Sequence, residues 1–418
     1  MPEIRPFRGL RFDAARTGSL DNVITPPYDV ISPDQRRELA VAPYSMVHLI
    51  LPEGREGDSP YDAAAARLDA WLDAGAIAED DAPSYYLLEQ RFTDPAGRER
   101  VRRGFFAVTR LPEAEDRTIL GHERTFPKPV EDRLALTRAT RANLGPVFAL
   151  YSDLDGRLSP FLDQMVRREP DMVATTFEGT RNRVWRTAPD PAVAAFLADK
   201  TLYIADGHHR FQTARLYRDE MRAANPNAGE VPYDFVLMGF VALEDEGLSV
   251  FPTHRLIARL DGFDAAALIG GIEPWFEVEE TAPAALPDRL AGETAACEIG
   301  VVLPDKSARL IRLRDVDRTA FLGDDRGPAW RDLDVAVLHR GIFERILGLS
   351  PETEYGYEKD AAAAINAVLE GRAELAFLLR ATRHDQIRAC AEAGEAMPQK
   401  STYFFPKLPS GAVIHRLV

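Results

Sequence analysis

Residues 203–214 read Tyr-Ile-Ala-Asp-Gly-His-His-Arg-Phe-Gln-Thr-Ala and indicate a strand that turns directly into a helix. A short apolar run ends at Ala205, and a helix-like pattern follows the polar turn through Tyr217. Backbone N–H groups and the positive end of the helix dipole converge at such a helix start, which favours binding of an anion such as phosphate. Gly207 permits close approach of the backbone to a ligand, and Arg210 supplies a planar set of donors. The alternative is an ordinary turn that contains a His–Asp hydrogen bond.

Bulk composition excludes several classes of protein. The 418 residues are 45% hydrophobic and 28% charged, which is typical of a globular protein with room for two or three lobes. The formal net charge of −15 argues against a nucleic-acid partner. Cys297 and Cys390 form neither a metal-ligand pattern nor a disulfide framework, and no apolar leader or membrane-spanning run is present. We therefore expect a soluble cytoplasmic protein without a membrane partner, and its oligomeric state is not indicated.

The order of elements predicts an α+β fold with a mixed sheet. The clearest hairpin joins strands at 85–92 and 101–108 through a turn at 94–97, and apolar runs at 46–51 and 147–151 are typical of buried strands. Because hairpins and helices are mixed along the chain, this architecture fits better than a doubly wound sheet.

The domain organisation is predicted in three parts. We expect a catalytic core over 1–255, with the hairpin and a loop and helix at 119–146 as insertions. A supporting α+β lobe would cover 256–395, and a C-terminal strand over 396–418 would return to the site.

Polar side chains suited to phosphate or hydroxyl groups cluster in segments far apart in the sequence, and we expect these segments to fold around the turn. The catalytic candidates are Asp29, Glu123 and His209. The candidates for binding phosphate or substrate are Asp206, Gly207, His208, Arg210, His122, Arg124, Arg138, Arg141, Asn143, His254, Arg255, Lys400, Ser401, Thr402 and Lys407. For the 119–146 region, the alternative is a solvated loop and an exposed helix held by salt bridges.

Several familiar sites lack support. No G-x-G-x-x-G follows a strand, so NAD is not expected, and the P-loop spacing of Gly394, Lys400 and Ser401 lacks the second glycine. No zinc or haem pattern and no G-x-S-x-G serine hydrolase motif occurs. A Mg²⁺ ion shared with the phosphates of a nucleotide donor could use one carboxylate, at Asp29, Glu123 or Asp206.

Two resemblances sharpen this interpretation. The turn from Asp206 to Arg210, with Thr213 and Ala214, resembles the phosphate-binding signature of the ParB/sulfiredoxin-like fold, whose members include the free serine kinases. Nearly the whole chain resembles a bacterial and archaeal family catalogued as domain of unknown function 1015. The motifs that carry this second resemblance are Pro26-Pro27-Tyr28-Asp29-Val30, His122-Glu123-Arg124-Thr125, Arg138-Ala139-Thr140-Arg141-Ala142-Asn143, the Asp-Gly-His-His-Arg turn, Pro252-Thr253-His254-Arg255 and residues 397–407.

The resemblance implies a ParB/sulfiredoxin-like core elaborated by hairpin insertions and helices. It also implies chemistry on serine or phosphoserine, with residues 206–210 as the phosphate-binding turn and a carboxylate, Asp29 or Glu123, as base. The leading hypothesis is phosphoryl transfer to or from a small hydroxylated metabolite, as in a free serine kinase. The alternatives are a phosphoserine phosphatase-like hydrolase and a nucleotide-binding regulatory switch without turnover.

Overall fold

The computed structural model describes residues 1–54, 57, 59–94, 97–113, 115–292 and 296–418, so the predicted turn positions 95 and 96 lie outside the described residues. The chain divides into two compact units. Unit 1 comprises Met1–Gly121, Thr125–Ser249 and Pro406–Val418, and unit 2 comprises His122–Arg124 and Val250–Phe405. Unit 1 is therefore interrupted after Gly121 and after Ser249, and it resumes at Thr125 and at Pro406. The three-part division over 1–255, 256–395 and 396–418 stays a prediction.

The strands of the structure follow in chain order. Those that begin before the boundary between the units are β1 (Ile4–Arg5), β2 (Leu10–Phe12), β3 (Ile77–Glu79), β4 (Tyr85–Thr93), β5 (Glu99–Arg110), β6 (Ile119–Leu120), β7 (Ala142–Asn143), β8 (Val147–Tyr151), β9 (Met172–Thr175), β10 (Arg181–Thr187), β11 (Leu202–Asp206), β12 (Phe235–Ala242) and β13 (Ser249–Phe251). Those that follow are β14 (His254–Ile257), β15 (Phe276–Thr281), β16 (Glu298–Val302), β17 (Ala308–Leu313), β18 (Gly356–Glu358), β19 (Leu375–Leu378), β20 (Tyr403–Phe405) and, in unit 1 again, β21 (His415–Arg416).

The α-helices are distributed over both units. Unit 1 contains α1 (Ala14–Thr17), α2 (Pro33–Leu39), α3 (Val47–Ile50), α4 (Pro60–Asp73), α5 (Pro127–Thr140), α6 (Ser159–Leu162), α7 (Pro191–Leu197) and α8 (His208–Ala224). Unit 2 contains α9 (Ala265–Ile272), α10 (Leu286–Leu290), α11 (Arg318–Leu322), α12 (Pro328–Arg331), α13 (Asp334–Ala336), α14 (Ala361–Leu369) and α15 (His384–Ala393). Short 3-10 turns cover Leu20–Asn22, Tyr28–Val30, Asp163–Arg167, Pro232–Asp234 and Pro283–Ala285, and a π-helix covers Val337–Ile346.

A mixed sheet organises unit 1. Within the described residues, its main path runs β6-β11-β8-β12-β5-β4-β10-β9, and β1 pairs with β5. The β11–β6 and β12–β8 pairs are parallel, whereas the others along this path are antiparallel. Large aromatic residues such as Tyr85, Phe105 and Trp185 form one core, which also receives Phe211 from α8. The predicted α+β fold with a mixed sheet is confirmed.

Unit 2 has a separate antiparallel sheet, ordered β15-β17-β16-β19-β14-β18. Its core packs Val302, Leu310 and Leu378 against Ile365 and Val368 of α14. A small sheet of β13 and β20 stacks Phe251 on Phe405, with ring centroids 4.8 Å apart. No helix within the described ranges has both the length and the apolar character needed to cross a bilayer.

Candidate functional site

The turn between β11 and α8 has the conformation that the sequence predicts. Gly207 adopts φ 89°, in the left-handed region, and α8 begins at His208. No side chain caps this helix start, and its first turn contains no acidic residue. A Cβ atom at position 207 would lie 3.0 Å from the Arg210 guanidinium, so a glycine is required both by φ and by the close approach of this side chain. Backbone N–H groups and the positive dipole end are therefore available to an anion.

Asp206 is held between two cations at this turn. Its Oδ2 accepts a hydrogen bond from Arg210 Nη2 at 2.5 Å, and its Oδ1 accepts one from Lys407 Nζ. Burial acts to raise the pKa of Asp206, but Lys407 and Arg210 together lower it to about 2. Asp206 is therefore a permanent carboxylate at neutral pH, and it orients the two cations rather than acting as a proton acceptor.

A third cation lies in the interior of unit 1 near this pair. Arg102 is 1% exposed; its Nε donates to Gln90 Oε1 at 3.1 Å, and its guanidinium lies 4.7 Å from the centre of the Phe148 ring. Burial lowers the pKa of Arg102 to about 9, against the opposing influence of Asp245 and Asp206. Since Arg102 stays protonated at neutral pH, it is a third cation, beside Arg210 and Lys407, that acts on the Asp206 carboxylate, and such a group of cations favours an anion nearby.

The two histidines of the turn point to different environments. His208 is buried, and burial lowers its pKa to about 3, so it adds no positive charge to the turn at neutral pH. His209 stacks against the exposed ring of Phe126, with centroids 6.2 Å apart, and its Nε2 accepts a hydrogen bond from the Phe126 backbone N–H at 3.1 Å. A neutral His209 therefore carries its proton on Nδ1.

Arg210 and Asn143, both predicted as binding residues, line a common cavity of about 50 Å³. Three further polar residues of this cavity, Tyr28, Arg133 and Ser410, were not selected from the sequence. Tyr28 follows the diproline and Arg133 belongs to the charged run before Arg138, so the neighbouring sequence could have indicated both as site residues. Ser410 has no such signal, because only the tertiary fold brings it beside Gly145.

The other selected residues of unit 1 lie on its outer surface. Asp29 is exposed in a 3-10 turn, outside the set of cavity-lining residues. The Arg138 guanidinium forms an ion pair with Glu220, with Nε 2.8 Å from Oε2, and Arg141 is exposed where α5 ends. Helical periodicity explains the difference, because Arg133 lies on the inward face of α5 whereas Arg138 projects outward.

The remaining residues selected from the sequence belong to unit 2, where several are buried and form hydrogen bonds with other residues of that unit. His122 Nε2 and Thr402 Oγ1 are 3.0 Å apart, and Ser401 donates a hydrogen bond to the Pro398 carbonyl. His254 Nδ1 accepts a hydrogen bond from the Leu379 N–H at 3.1 Å. Glu123 is half-buried, whereas Arg124 and Lys400 are exposed.

Arg255 uses its guanidinium to hold the backbone of unit 2. It is fully buried, and its Nη2 donates to the carbonyls of Gln399 and Lys400 at 3.0 and 3.1 Å. Its Nε lies 3.2 Å from His339 Nε2 and donates to it. Burial lowers the pKa of Arg255 to about 10, so it remains protonated at neutral pH. These contacts fix the segment before β20 and leave Arg255 little capacity for a phosphate group.

Metal ligation has limited support in the described part of the chain. No group of three or more His, Cys, Asp or Glu side chains there is arranged to hold a metal ion. Asp206 already places its two oxygens on Arg210 and Lys407, so a Mg²⁺ ion at this carboxylate would have to displace a cation. The residues present do not build a protein-bound Mg²⁺ site at the turn.

Solved structures with related chain paths are distant. A conserved hypothetical protein from Pyrococcus furiosus is 14% identical with a TM-score of 0.35, over 73% of this chain and 93% of that one. A free serine kinase in complex with AMP is 14% identical with a TM-score of 0.35, over 72% and 86%. SbnI with a C-terminal truncation, from Staphylococcus aureus, is 11% identical with a TM-score of 0.34, over 73% and 85%. We draw no conclusion on activity from likenesses at this level, and no curated protein matches the sequence.

One family model matches most of the chain. The model of a family described as "Protein of unknown function (DUF1015)" matches residues 4–336. This range is well over half of the 418 residues and contains the β11–α8 turn, the diproline segment and α5. The chain therefore belongs to the DUF1015 family.

Proposed function

We propose that this protein is a phosphoryl-transfer enzyme whose phosphate site is the turn from Asp206 to Arg210. Its substrate would be a small hydroxylated metabolite, with serine or phosphoserine as the leading candidate. The observation that carries the proposal is the uncapped start of α8, next to Arg210 and Lys407, which Asp206 holds in place. Such a site neutralises phosphate charge with preorganised donors, and phosphoryl transfer depends chiefly on that stabilisation.

The reaction requires little covalent chemistry from the protein. In the kinase direction, the substrate hydroxyl oxygen forms a bond to phosphorus while the bond from phosphorus to the donor's bridging oxygen breaks, and the hydroxyl proton passes to a base. His209 is proposed as a further donor to a phosphate oxygen through Nδ1, the ring nitrogen that is protonated in the neutral side chain when Nε2 accepts from Phe126. Asp206 is committed to its two cations, so the base is proposed among Asp29 and Glu123. A Mg²⁺ ion would arrive with the nucleotide phosphates, and we route no step through it.

The direct test is turnover followed by ³¹P NMR. Purified protein is incubated with Mg²⁺, serine or phosphoserine, and ATP, ADP, CTP or pyrophosphate. We expect conversion by the wild type and a loss of at least about tenfold in Arg210→Gln, since one charge-assisted contact to phosphate is removed. The matched control is Arg37→Gln, which removes an equal charge from an exposed i,i+3 pair with Asp34 on α2.

The outcomes separate the candidate functions. Hydrolysis of phosphoserine without any nucleotide would identify the phosphatase alternative. Nucleotide binding without turnover of any metabolite would favour a regulatory switch and refute the proposed enzyme. Full activity of Arg210→Gln would refute the location of the phosphate site.

A further inference from the structure

The cavity beside the phosphate turn has a chemical character of its own. It lies within unit 1, between the diproline segment, α5, the segment from Asn143 to Val147 and α8. Its polar lining includes Tyr28, Arg133, Asn143, Arg210 and Ser410, and none of its described lining residues is Asp or Glu. The remaining lining is mainly aliphatic. A volume of about 50 Å³ holds only a few water-sized groups, so its occupant is small.

Two of these residues have orientations fixed by bonds that leave donors unused. Asn143 Oδ1 accepts a hydrogen bond from the Leu237 backbone N–H at 2.9 Å, and its Nδ2 has no acceptor among the described residues. Arg210 uses Nη1 on the Pro146 carbonyl and Nη2 on Asp206, and its Nε is not engaged within the described part of the chain. Both side chains thus reach the cavity with N–H groups that can bind an acceptor.

The other polar groups of the lining are less open. The Arg133 guanidinium is buried and lies 4.2 Å from the centre of the Tyr28 ring, but its Nε and Nη2 pair with Asp132 Oδ2 and its Nη1 donates to the Ile50 carbonyl at 2.6 Å. Burial, with a smaller contribution from Asp29, raises the pKa of Tyr28 to about 12, so its hydroxyl is protonated at neutral pH. Ser410 is 2% exposed, and its hydroxyl forms no hydrogen bond with the described residues. The cavity therefore offers the Arg210 Nε–H, the Asn143 amide and two hydroxyl groups to one small occupant. Each of its two guanidinium groups is paired with a carboxylate outside the lining, Arg210 with Asp206 and Arg133 with Asp132.

We propose that this cavity binds the carboxylate of a small amino or hydroxy acid, with Arg210 and Asn143 as its principal donors. A carboxylate suits the site because Arg210 Nε and Asn143 Nδ2 can each donate a hydrogen bond to one of its oxygens, and the aliphatic walls suit a short carbon chain. The inference rests on the proposed function in one respect: Arg210 belongs to both the cavity and the phosphate turn, so the bound acid would present its hydroxyl to the turn. It adds the substrate class, which is a carboxylic acid rather than an alcohol or amino alcohol.

The test compares ligands that differ only in the carboxylate. Isothermal titration measures binding of serine, glycerate and phosphoserine against ethanolamine, ethylene glycol and phosphoethanolamine, with inorganic phosphate as a separate arm. For the wild type, we expect each acid to bind at least about tenfold more tightly than its partner, the gain typical of charge-assisted hydrogen bonds. Equal affinity within every pair, or no binding of any acid at millimolar concentration, would overturn the inference. Because the turn itself is proposed to bind phosphate, the phosphate arm is compared between the wild type and Asn143→Asp. An equal loss of phosphate and acid affinity in that variant would also overturn the inference, since the cavity would then hold phosphate.

A conservative variant locates the site. Asn143→Asp keeps the oxygen that accepts from Leu237 but replaces the Nδ2 donors with an anionic oxygen, so acid binding should fall at least about tenfold. Asn22→Asp, on an exposed 3-10 turn, makes the same change of charge away from the cavity and should leave binding unchanged. Unchanged acid binding in Asn143→Asp would refute the assignment.

A second pair of variants makes the same small change inside and outside the cavity lining, so that a general effect on folding can be recognised. Tyr28→Phe removes one cavity hydroxyl, whereas Tyr44→Phe removes a hydroxyl outside the cavity lining. We expect a loss of acid affinity in Tyr28→Phe alone, and equal effects of the two would contradict the assignment.

Because these experiments measure binding rather than turnover, the phosphoryl-transfer proposal and the acid-binding inference can be refuted separately. Acid-selective binding without turnover would refute only the phosphoryl transfer, whereas turnover that does not depend on the carboxylate would refute only the present inference.

Discussion

Replacing Asp206 by asparagine removes the only negative charge in the group formed by Asp206, Arg210 and Lys407. We expect the Asp206→Asn variant to be less stable than the wild type at pH 7 and to gain more stability from added phosphate. The physical reason is that Arg210 and Lys407 would remain buried without their shared carboxylate. An inorganic anion would then supply the missing negative charge.

The magnitude follows from the shift in the pKa of Asp206. The shift from its ordinary 3.8 to about 2 corresponds to roughly 2 kcal/mol of stability at neutral pH. Removal of one partner from a buried ion pair costs about 3–5 kcal/mol in other proteins. We therefore expect a loss of about 2–4 kcal/mol in the free energy of unfolding. Because the folded-state pKa is lowered, this contribution is present above about pH 4 and disappears as the pH falls toward 2.

The assay is urea denaturation at pH 7 and again between pH 4 and 2, with and without phosphate. Asp69→Asn, at an exposed position of α4, is the matched control. Lys407→Met and the double variant complete a mutant cycle, which should show coupling of more than about 1 kcal/mol. A loss below about 1 kcal/mol at pH 7, or additive effects of the two changes, would refute the role assigned to Asp206.

Two further predictions concern the backbone turn and unit 2. Gly207→Ala should weaken phosphate binding because its Cβ would displace the Arg210 guanidinium, whereas Gly262→Ala, at φ 71° in open space, introduces a similar backbone strain of about 1–2 kcal/mol without that contact. Equal phosphate affinity of the two variants, measured by titration, would contradict the close approach at Gly207. Arg255→Met should lower the free energy of unfolding by about 2–4 kcal/mol in urea, since it leaves buried carbonyls without donors, while the phosphate affinity of unit 1 stays unchanged. Unaltered stability with weaker phosphate binding would instead restore Arg255 as a ligand.

Local sequence signals were sufficient for the turn itself. The polar cluster after an apolar run, together with Gly207, predicted where β11 ends and α8 begins. The start of α2 is also set by nearby residues, because Ser32 and Gln35 form a reciprocal capping box. Such features depend on neighbours within a few residues, which the sequence displays directly.

Other features depended on tertiary contacts and were missed. The strand predicted at 46–51 is wrong: Val47–Ile50 is a short helix, because a brief apolar run that is buried on nearly all sides has no diagnostic periodicity. The sheet membership of β13 and β14 was not evident either, since β13 pairs with β20 and β14 pairs with β18 and β19 rather than with β12. The polar lining of the cavity was equally invisible, since Tyr28, Arg133 and Ser410 meet only after folding.

The pairing of Asp206 with Lys407 has a consequence for how the protein is made. The two residues are 201 positions apart, and the whole segment Val250–Phe405 is synthesised between them. A ribosome-bound chain that ends before Pro406 would carry the turn and Arg210 but neither Lys407 nor Ser410. Contacts of such long sequence separation form late, because much chain must be ordered first. The nascent protein should therefore gain its phosphate and acid affinity only after unit 2 has been translated, which would keep incomplete chains from binding these metabolites.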